Sequence, residues 1–498
     1  MITKNSLQRL RLNAVLALIY QATQIASGFV IPWLILHSFG SDVNGLIGSI
    51  SQFLGMIAFL EFGVGAVVQS ALYKPLAIRS WEGVTHVYKS SQSFFRKIGF
   101  ILFIYTIVLI FTFPSLTATR FNFIYTGTLI GAIAIGGFAQ YFFGITNSLL
   151  LASDQKNYIT YSINSITLLL NLALSYFLIK NDFSIQTVKF ASSLVFLLRP
   201  LCLTIYVQKN YFLLKDIKQT KEALTQKWNG IAQHIAACVL EFAPVLALTL
   251  FTSFTIVSVF TIYNLIIVGI RSILNCLSSG VPSLMGELWA KEEKQELSKM
   301  FSWVEWSIHT GTTFFFCVTA LMIVPFVEIY SRGVDDANYS VPVFAAVYTL
   351  ACACFSYLYP YIYLILIAGH YRQTQKQYLK TACLNVFATG LFTLLFGLIG
   401  AAIGRLVTMI YQITWTFSYD RKFIIPLSWR SFFKQIFVDS LTGILITLTS
   451  LPIMGHAETY LAWSVMALEV SLIAIAITFV CNFVFYRSKI VHLFSKWH

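Results

Sequence analysis

Apolar stretches recur along the whole chain, from Asn13 to Tyr486, with only short polar gaps between them. About 20 mostly apolar residues in a helix cross the ~30 Å hydrocarbon layer of a bilayer. The pattern predicts spans at residues 13–36, 46–72, 95–114, 122–150, 158–180, 183–207, 230–252, 256–284, 300–327, 342–368, 378–397, 398–419, 432–452 and 460–486. Lipid cannot hydrogen-bond a backbone, so spans must be helices or a closed barrel. Runs this continuous lack the two-residue alternation of a barrel strand. The predicted fold is therefore all-α, a polytopic membrane helical bundle of about 14 transmembrane helices. The close pair at 378–419 is divided only at Gly397 and Gly400. The first run is too long for a cleaved signal peptide, contains Pro32 and lacks a small-residue cleavage site, so it is expected to be a retained span.

Composition agrees. Only 11% of the 498 residues are charged and 57% are hydrophobic, against about 25% charged in a typical soluble protein. The net charge of +14 would suggest nucleic acid in a soluble chain, but its placement makes it a topology signal. Lysine and arginine crowd alternate gaps. With the N-terminus inside, the inner segments carry Lys4, Arg9 and Arg11; Lys74, Arg79, Lys89, Arg96 and Lys97; Lys156; and Lys209, Lys215, Lys218, Lys221 and Lys227. Further along they carry Lys291, Lys294 and Lys299; Arg372, Lys376 and Lys380; Arg421, Lys422, Arg430 and Lys434; and Arg487, Lys489 and Lys496. The outer gaps hold only Arg120, Lys180 and Arg332. The positive-inside rule then puts both termini in the cytoplasm and asks for an even number of spans. The inner charge is also suited to holding anionic membrane lipids. Trp33 and Trp463 near outer ends, and Trp81, Trp228, Trp289, Trp303 and Trp429 near inner ends, fit an interfacial belt.

Much chemistry is excluded. The longest inner loop, about 208–229, has no phosphate-binding G-x-x-x-x-G-K-S/T sequence, and the chain has no H-E-x-x-H, G-x-S-x-G or calcium-loop pattern. ATP hydrolysis is excluded, no cofactor or metal is expected, and the chain is read as a non-enzyme. The eight cysteines lie in or beside apolar runs, and Cys352-x-Cys354 lacks the second pair a zinc site needs; they read as small packing residues.

The chain echoes itself weakly. Asn13 and Asn229 each open a span with polar residues in its first turns, Gln21 and Gln24 in one, Gln233 and His234 in the other. Each such span carries a proline, Pro32 and Pro244. Each following span ends in a small-residue patch and a proline: Gly63-Val-Gly65 with Pro75, and Ser278-Ser-Gly280 with Pro282. Interrupted spans at matching places in two halves point to the substrate path of a secondary transporter. The expected organisation is two six-helix lobes plus two C-terminal helices: 1–210 as spans one to six, 211–427 as spans seven to twelve, and 428–498 as two added spans and a tail.

Five ionisable residues fall inside spans: Glu61, Arg199, Glu241, Arg271 and Arg405. Such a residue costs a few kcal/mol and must face protein or a wet cavity. Each has two readings, a structural ion pair or a functional group. Jointly, Arg199, Arg271 and Arg405 suit a cavity that receives anions, because guanidinium stays ionised and forms forked hydrogen bonds. Glu61 and Glu241 suit gating, or coupling to H+ or Na+. Asp439 and Glu469 read as packing or lipid anchoring, and Glu305 and His309 as interfacial.

The stretch from Phe39 to Ala77, FGSDVNGLIGSISQFLGMIAFLEFGVGAVVQSALYKPLA, resembles Wzx-type polysaccharide flippases. These belong to the multidrug/oligosaccharidyl-lipid/polysaccharide exporter superfamily. The F-G-S-x-x-N-G turn, the L-E-F-G-V-G-A patch and the following Y-K-P-L carry the likeness, and G-L-I-G-A-A-I-G-R at 397–405 is similar to a glycine-rich span of the same family. The resemblance implies a MATE-like fold in the bacterial cytoplasmic membrane. It implies translocation of undecaprenyl-pyrophosphate-linked oligosaccharide for capsule, exopolysaccharide or O-antigen, two lobes rocking around a cationic cavity, and a polysaccharide polymerase as downstream partner. A lipid II flippase and a multidrug or toxin extruder are the alternatives within the superfamily. Span one offers no acidic residue of the kind such extruders carry. A membrane-embedded polymerase or glycosyl transferase is the remote alternative, and the outer gap at about 328–341 is short for one.

Overall fold

The structure is a computed structural model that describes residues 4–61, 63–117, 121–214 and 231–495. Arg120, Lys215, Lys218, Lys221, Lys227, Trp228, Asn229 and Lys496 lie outside the described residues. Among the described residues all regular structure is helical, and twelve helical runs are long and apolar enough to cross a membrane. The chain is a multi-pass membrane protein. It divides into two compact units, Met1–Cys238 and Val239–His498.

Two of the twelve runs are far too long for one crossing. The run Arg11–Glu61 has 51 residues and Tyr371–Phe423 has 53, or about 75–80 Å of straight helix. Each is broken once by a glycine outside helical geometry: Gly40 at φ 82°, ψ 174°, and Gly397 at φ 57°, ψ −129°. Left-handed φ is open to glycine and strained for residues with a Cβ. These two breaks turn twelve helical runs into the fourteen spans predicted, and they fall in the F-G-S turn and at the predicted 378–419 division.

Unit 1 is built from α1 (Lys4–Gly55), a 3₁₀ turn (Met56–Glu61), α2 (Val64–Ala77), α3 (Trp81–Thr117), α4 (Phe123–Ala139), a π turn (Gln140–Gly144), α5 (Ile145–Ser153), α6 (Asn157–Lys180) and α7 (Ile185–Asn210). The chain continues through α8 (Ile231–Phe251) into unit 2. Unit 2 contains α9 (Phe254–Ser278), α10 (Val281–Ala290), α11 (Lys294–Tyr330), α12 (Pro342–Tyr357), α13 (Tyr359–Ile367), α14 (Tyr371–Phe423), α15 (Trp429–Ser450), α16 (Tyr460–Phe485) and α17 (Arg487–Ser495).

The same order of whole and broken spans occurs in each unit. In unit 1 the second span breaks between α1 and α2 and the fourth between α4 and α5; in unit 2 the matching breaks separate α9 from α10 and α12 from α13. The short distal pieces pair within each unit, α2 with α5 and α10 with α13. Each pair anchors an apolar core: Val64, Val68, Leu150 and Leu151 with Leu203 in unit 1, Met285, Leu364 and Ile365 with Phe301 in unit 2. Several helix starts are capped by a short polar side chain. Asn122 accepts from Tyr125 N–H at 2.7 Å, and Ser184, Ser253 and Thr459 accept from the N–H three residues on, satisfying donors that lipid cannot. Large apolar side chains stand exposed on the outside, such as Phe111 at 68% and Leu461 at 77%, as lipid-facing surfaces require.

The two arms of α14 run back along one another. Thr381 Oγ1 donates to Gln412 Oε1, and a Cβ at Gly400 would overlap the Phe392 carbonyl, while one at Gly404 would overlap the Thr389 backbone. The spacing of the G-x-x-x-G pair at 400 and 404 thus lets two backbones touch. Gly400→Val is expected to abolish folded protein, read as loss of the monodisperse peak in fluorescence-detected size exclusion. Gly390→Ala is the control, because its Cβ would sit 3.8 Å from Phe251 in ordinary contact; that peak should remain.

Candidate functional site

Unit 1 holds an open cavity of about 620 Å³, within the usual size of a ligand site. Its walls are α1 at Gln24, Ser27, Gly28, Ile31 and Pro32, α4 at Ile133, Gly136 and Gly137, and α6 at Leu168 and Asn171, with α7 at Lys189, Ser192, Ser193, Phe196 and Arg199. Gln140, first residue of the π turn, also lines it; such turns insert an extra residue and recur at functional sites. The α7 residues recur at intervals of three and four, so one face of this helix supplies the lining.

Two of the lining residues are cations and none is an acid. Arg199 donates from Nε to Thr167 Oγ1 at 2.7 Å and its guanidinium lies 4.3 Å from the Phe196 ring. Its Nη2 is buried with no partner. Guanidinium carries five N–H donors, so Arg199 keeps donors unused. Lys189 forms no hydrogen bond or ion pair among the described residues. Two unmatched cations inside spans are costly unless something anionic visits them.

Lys189 is the site residue that sequence reasoning missed. It is the fifth residue of α7, close enough to Lys180 to read as one more charge near a helix end. Its three-and-four spacing from Ser192, Ser193, Phe196 and Arg199 was the available signal.

Unit 2 holds the second group of charges. Arg271 Nη1 donates to Glu241 Oε1 at 2.8 Å, and Arg405 Nη2 lies 3.5 Å from the same oxygen. Arg405 also donates to the Leu240 carbonyl at 3.2 Å and lies 5.8 Å from the Tyr348 ring, and Arg271 lies 4.4 Å from the Phe355 ring. Three of the five intramembrane charges thus meet as one network, two guanidiniums on one carboxylate. Arg405 is almost wholly buried, at 1% exposed, whereas the Glu241 side chain is 39% exposed.

Glu61 and Arg199 both belong to unit 1. Glu61 closes the 3₁₀ turn and accepts a 2.6 Å hydrogen bond from Tyr141, within the π turn. His234 Nε2 lies 2.8 Å from the Ala58 carbonyl in that 3₁₀ turn. The L-E-F-G-V-G segment is therefore a break in a span, and Glu61 ties it to the break in the fourth span.

His309, expected at the interface, is placed differently, and its partner is Asp439, read as a packing or anchoring residue. His309 and Asp439 are buried and 2.7 Å apart, joining α11 to α15. Burial removes the solvation the interfacial reading assumed, and each supplies the other's polar partner. Glu305 accepts from Tyr361 at 2.6 Å. Glu469 is exposed on α16.

No protein-family model matches the chain, and no curated protein matches it in sequence. Solved structures do match in shape. The fold is that of flippases and exporters of the MATE and MurJ type. The lipid II flippase MurJ, in an inward closed conformation, superposes with a TM-score of 0.67 at 13% identity, over 96% of this chain and 99% of that one. An inward-facing multidrug resistance MATE family transporter of the MOP superfamily superposes at 0.56 and 16% identity, over 80% of this chain and 94% of its own. A MOP superfamily transporter from Pyrococcus furiosus, whose binding pocket is described as reversed in polarity, gives 0.54 at 13%, over 82% and 95%.

Proposed function

We propose that the chain is a flippase that carries an undecaprenyl-pyrophosphate-linked oligosaccharide across the bacterial cytoplasmic membrane for capsule, exopolysaccharide or O-antigen assembly, with both termini cytoplasmic. The observation that carries the reading is the unit 1 cavity, whose two cations, Lys189 and Arg199, have no acid to answer them. A cavity of this charge suits a pyrophosphate or acidic sugar and repels cationic drugs. Amides and hydroxyls beside it, from Gln24, Gln140, Asn171 and Ser192, suit a sugar head. Arg271 and Arg405 form the second anion-facing group, positive overall because they share one carboxylate. Glu61 and Glu241 hold the gating positions. The fold shared with a lipid II flippase and the Phe39–Ala77 resemblance support the same class, acting by alternating access between states of similar free energy. A transporter needs no catalytic group, and a polymerase consuming the product would pull the cycle forward.

The test is deletion of the gene in its own host. Lipid-linked intermediates are extracted, and their leaflet is read with a sugar-oxidising probe that cannot cross the membrane. Inner-leaflet oligosaccharide repeat units with loss of surface polymer is the expected result. Accumulated lipid II with a cell-wall defect would replace this reading with that of a lipid II flippase, the second reading that the MurJ-like fold favours. Unchanged lipids and polymer would sink both.

A further inference from the structure

The side of unit 2 where α15 and α16 pack carries a buried polar column that the anion sites do not use. Along one face of α11 stand Ser302, Glu305, His309 and Thr313, spaced by three, four and four residues. His309 is 1% exposed and Asp439 9%. Asp439 Oδ1 accepts from Gln435 Nε2 at 3.0 Å and lies 3.1 Å from Thr313 Oγ1, while Oδ2 faces His309 Nδ1. With Oδ1 accepting two donated bonds, Oδ2 is the acceptor that faces His309, so Nδ1 carries the imidazole hydrogen. That leaves His309 Nε2 as a lone pair, buried with no partner.

We infer that His309, held by Asp439, is a proton-binding site of the transport cycle. The proton comes from a hydronium ion of the solvent: one of its O–H bonds breaks, an N–H bond forms at the Nε2 lone pair, and a water molecule is released. Nδ1–H keeps its bond to Asp439. The neutral ring and carboxylate become an ion pair clamping α11 to α15, and the imidazolium lies stacked on the Tyr357 ring at 4.6 Å, an arrangement that favours a cation. Glu305 and its donor Tyr361 lie one turn nearer the α17 end of the column, where Lys489 donates to the Ser302 carbonyl at 2.6 Å. The inference deepens the transport reading and rests on it for its use.

The ionisable groups around His309 are few. α12 contributes Tyr357, α13 Tyr361, α15 Asp439, and α11 itself Glu305 and Cys317; α16 offers neutral Asn482, bonded to Trp306. Asp420 on α14 lies beyond Tyr361, and Tyr486 and Lys489 stand at the α17 end. α9 and α10 also pack on α11. Burial pulls the Lys489 amine down to about 8, so it titrates in a neighbouring range and must be separated by its own variant.

The experiment uses the full chain in liposomes of phosphatidylethanolamine and phosphatidylglycerol, between pH 5 and 9. Infrared difference spectra count imidazole protonation, and spin labels on unit 1 and unit 2 report the distance distribution between them. The wild type should show imidazole protonation that includes His309, and a distance distribution that changes with it. His309→Gln should lose one imidazole from the protonation count together with the distance response, Lys489→Met should keep both, and Asp439→Asn should displace both along the pH axis, because the imidazolium loses its counter-charge. Unchanged responses in His309→Gln, or a wild-type distribution indifferent to pH, would overturn the proposal. If His309→Gln does not fold, an unmoved Asp439→Asn response overturns it equally. No lipid-linked substrate enters these measurements, so they fail independently of the deletion experiment.

Discussion

Glu241→Ala should be the most destabilising single charge removal in the protein. It leaves Arg405, 1% exposed, and Arg271, 13% exposed, without their shared carboxylate. Stripping one member from a fully buried ion pair costs about 3–5 kcal/mol. Glu241 is itself 39% exposed, so water screens part of its contribution, and about 2–3 kcal/mol is the expected loss after that discount. Thermal unfolding in detergent should show it as a fall of several degrees. Glu241→Gln keeps an acceptor for Arg271 and should lose less. Arg271→Ala should also lose less than Glu241→Ala, because Arg405 still answers the remaining carboxylate. If Glu241→Ala and Arg271→Ala are equally mild, the network is not what holds these helices together.

The second large effect concerns function. Arg199→Glu with Lys189→Glu should abolish export of surface polymer, with the protein still inserted and monodisperse. The double change reverses the cavity from two positive charges to two negative ones, and an anionic head entering low-dielectric protein meets repulsion instead of attraction. Single alanine variants should retain part of the activity, since one cation remains in each. Arg199→Lys should fall between them, because the ammonium keeps the charge and loses the planar fork. Polymer is measured at the cell surface after complementing the deletion strain, with protein amount measured in the membrane fraction. Full export by the double glutamate variant would remove the cavity from the substrate path and leave Arg271 and Arg405 as the anion site to test, by alanine at both.

Much of this was open to reading along the chain. Span positions follow from local composition, since each span must satisfy the same solvent on its own. Even the two hidden boundaries were marked, at Gly40 and Gly397, although the helical hydrogen-bond pattern runs through both. The small-residue patches at Gly63 and Ser278–Gly280 fall where the second and eighth spans break. The segment from Phe39 to Ala77 owes its shape to two glycines of positive φ, Gly40 and Gly63, a 3₁₀ turn and a second short helix.

Partnership was not open to reading in the same way. A charged residue within an apolar run announces that it needs a partner, but not which one, because the partner is chosen by how helices pack. Glu241 meets Arg271 and Arg405 only because three helices converge. Glu61 takes a tyrosine from a π turn that has no sequence signature. His309 and Asp439 lie 130 residues apart; alone, the first looks like a residue near a membrane surface and the second like a packing or anchoring residue. Lys189 looked ordinary until α7 turned its face to a cavity. The sequence by itself determined that the chain crosses a membrane many times, where it crosses, and which of its residues are out of place in lipid, because those follow from transfer free energies of single segments. Tertiary structure alone decided which charges neutralise each other, which are left open, and which enclose a space. Those outcomes depend on distances of a few ångströms between segments, and Coulomb and hydrogen-bond energies in a low-dielectric interior change most steeply over that range.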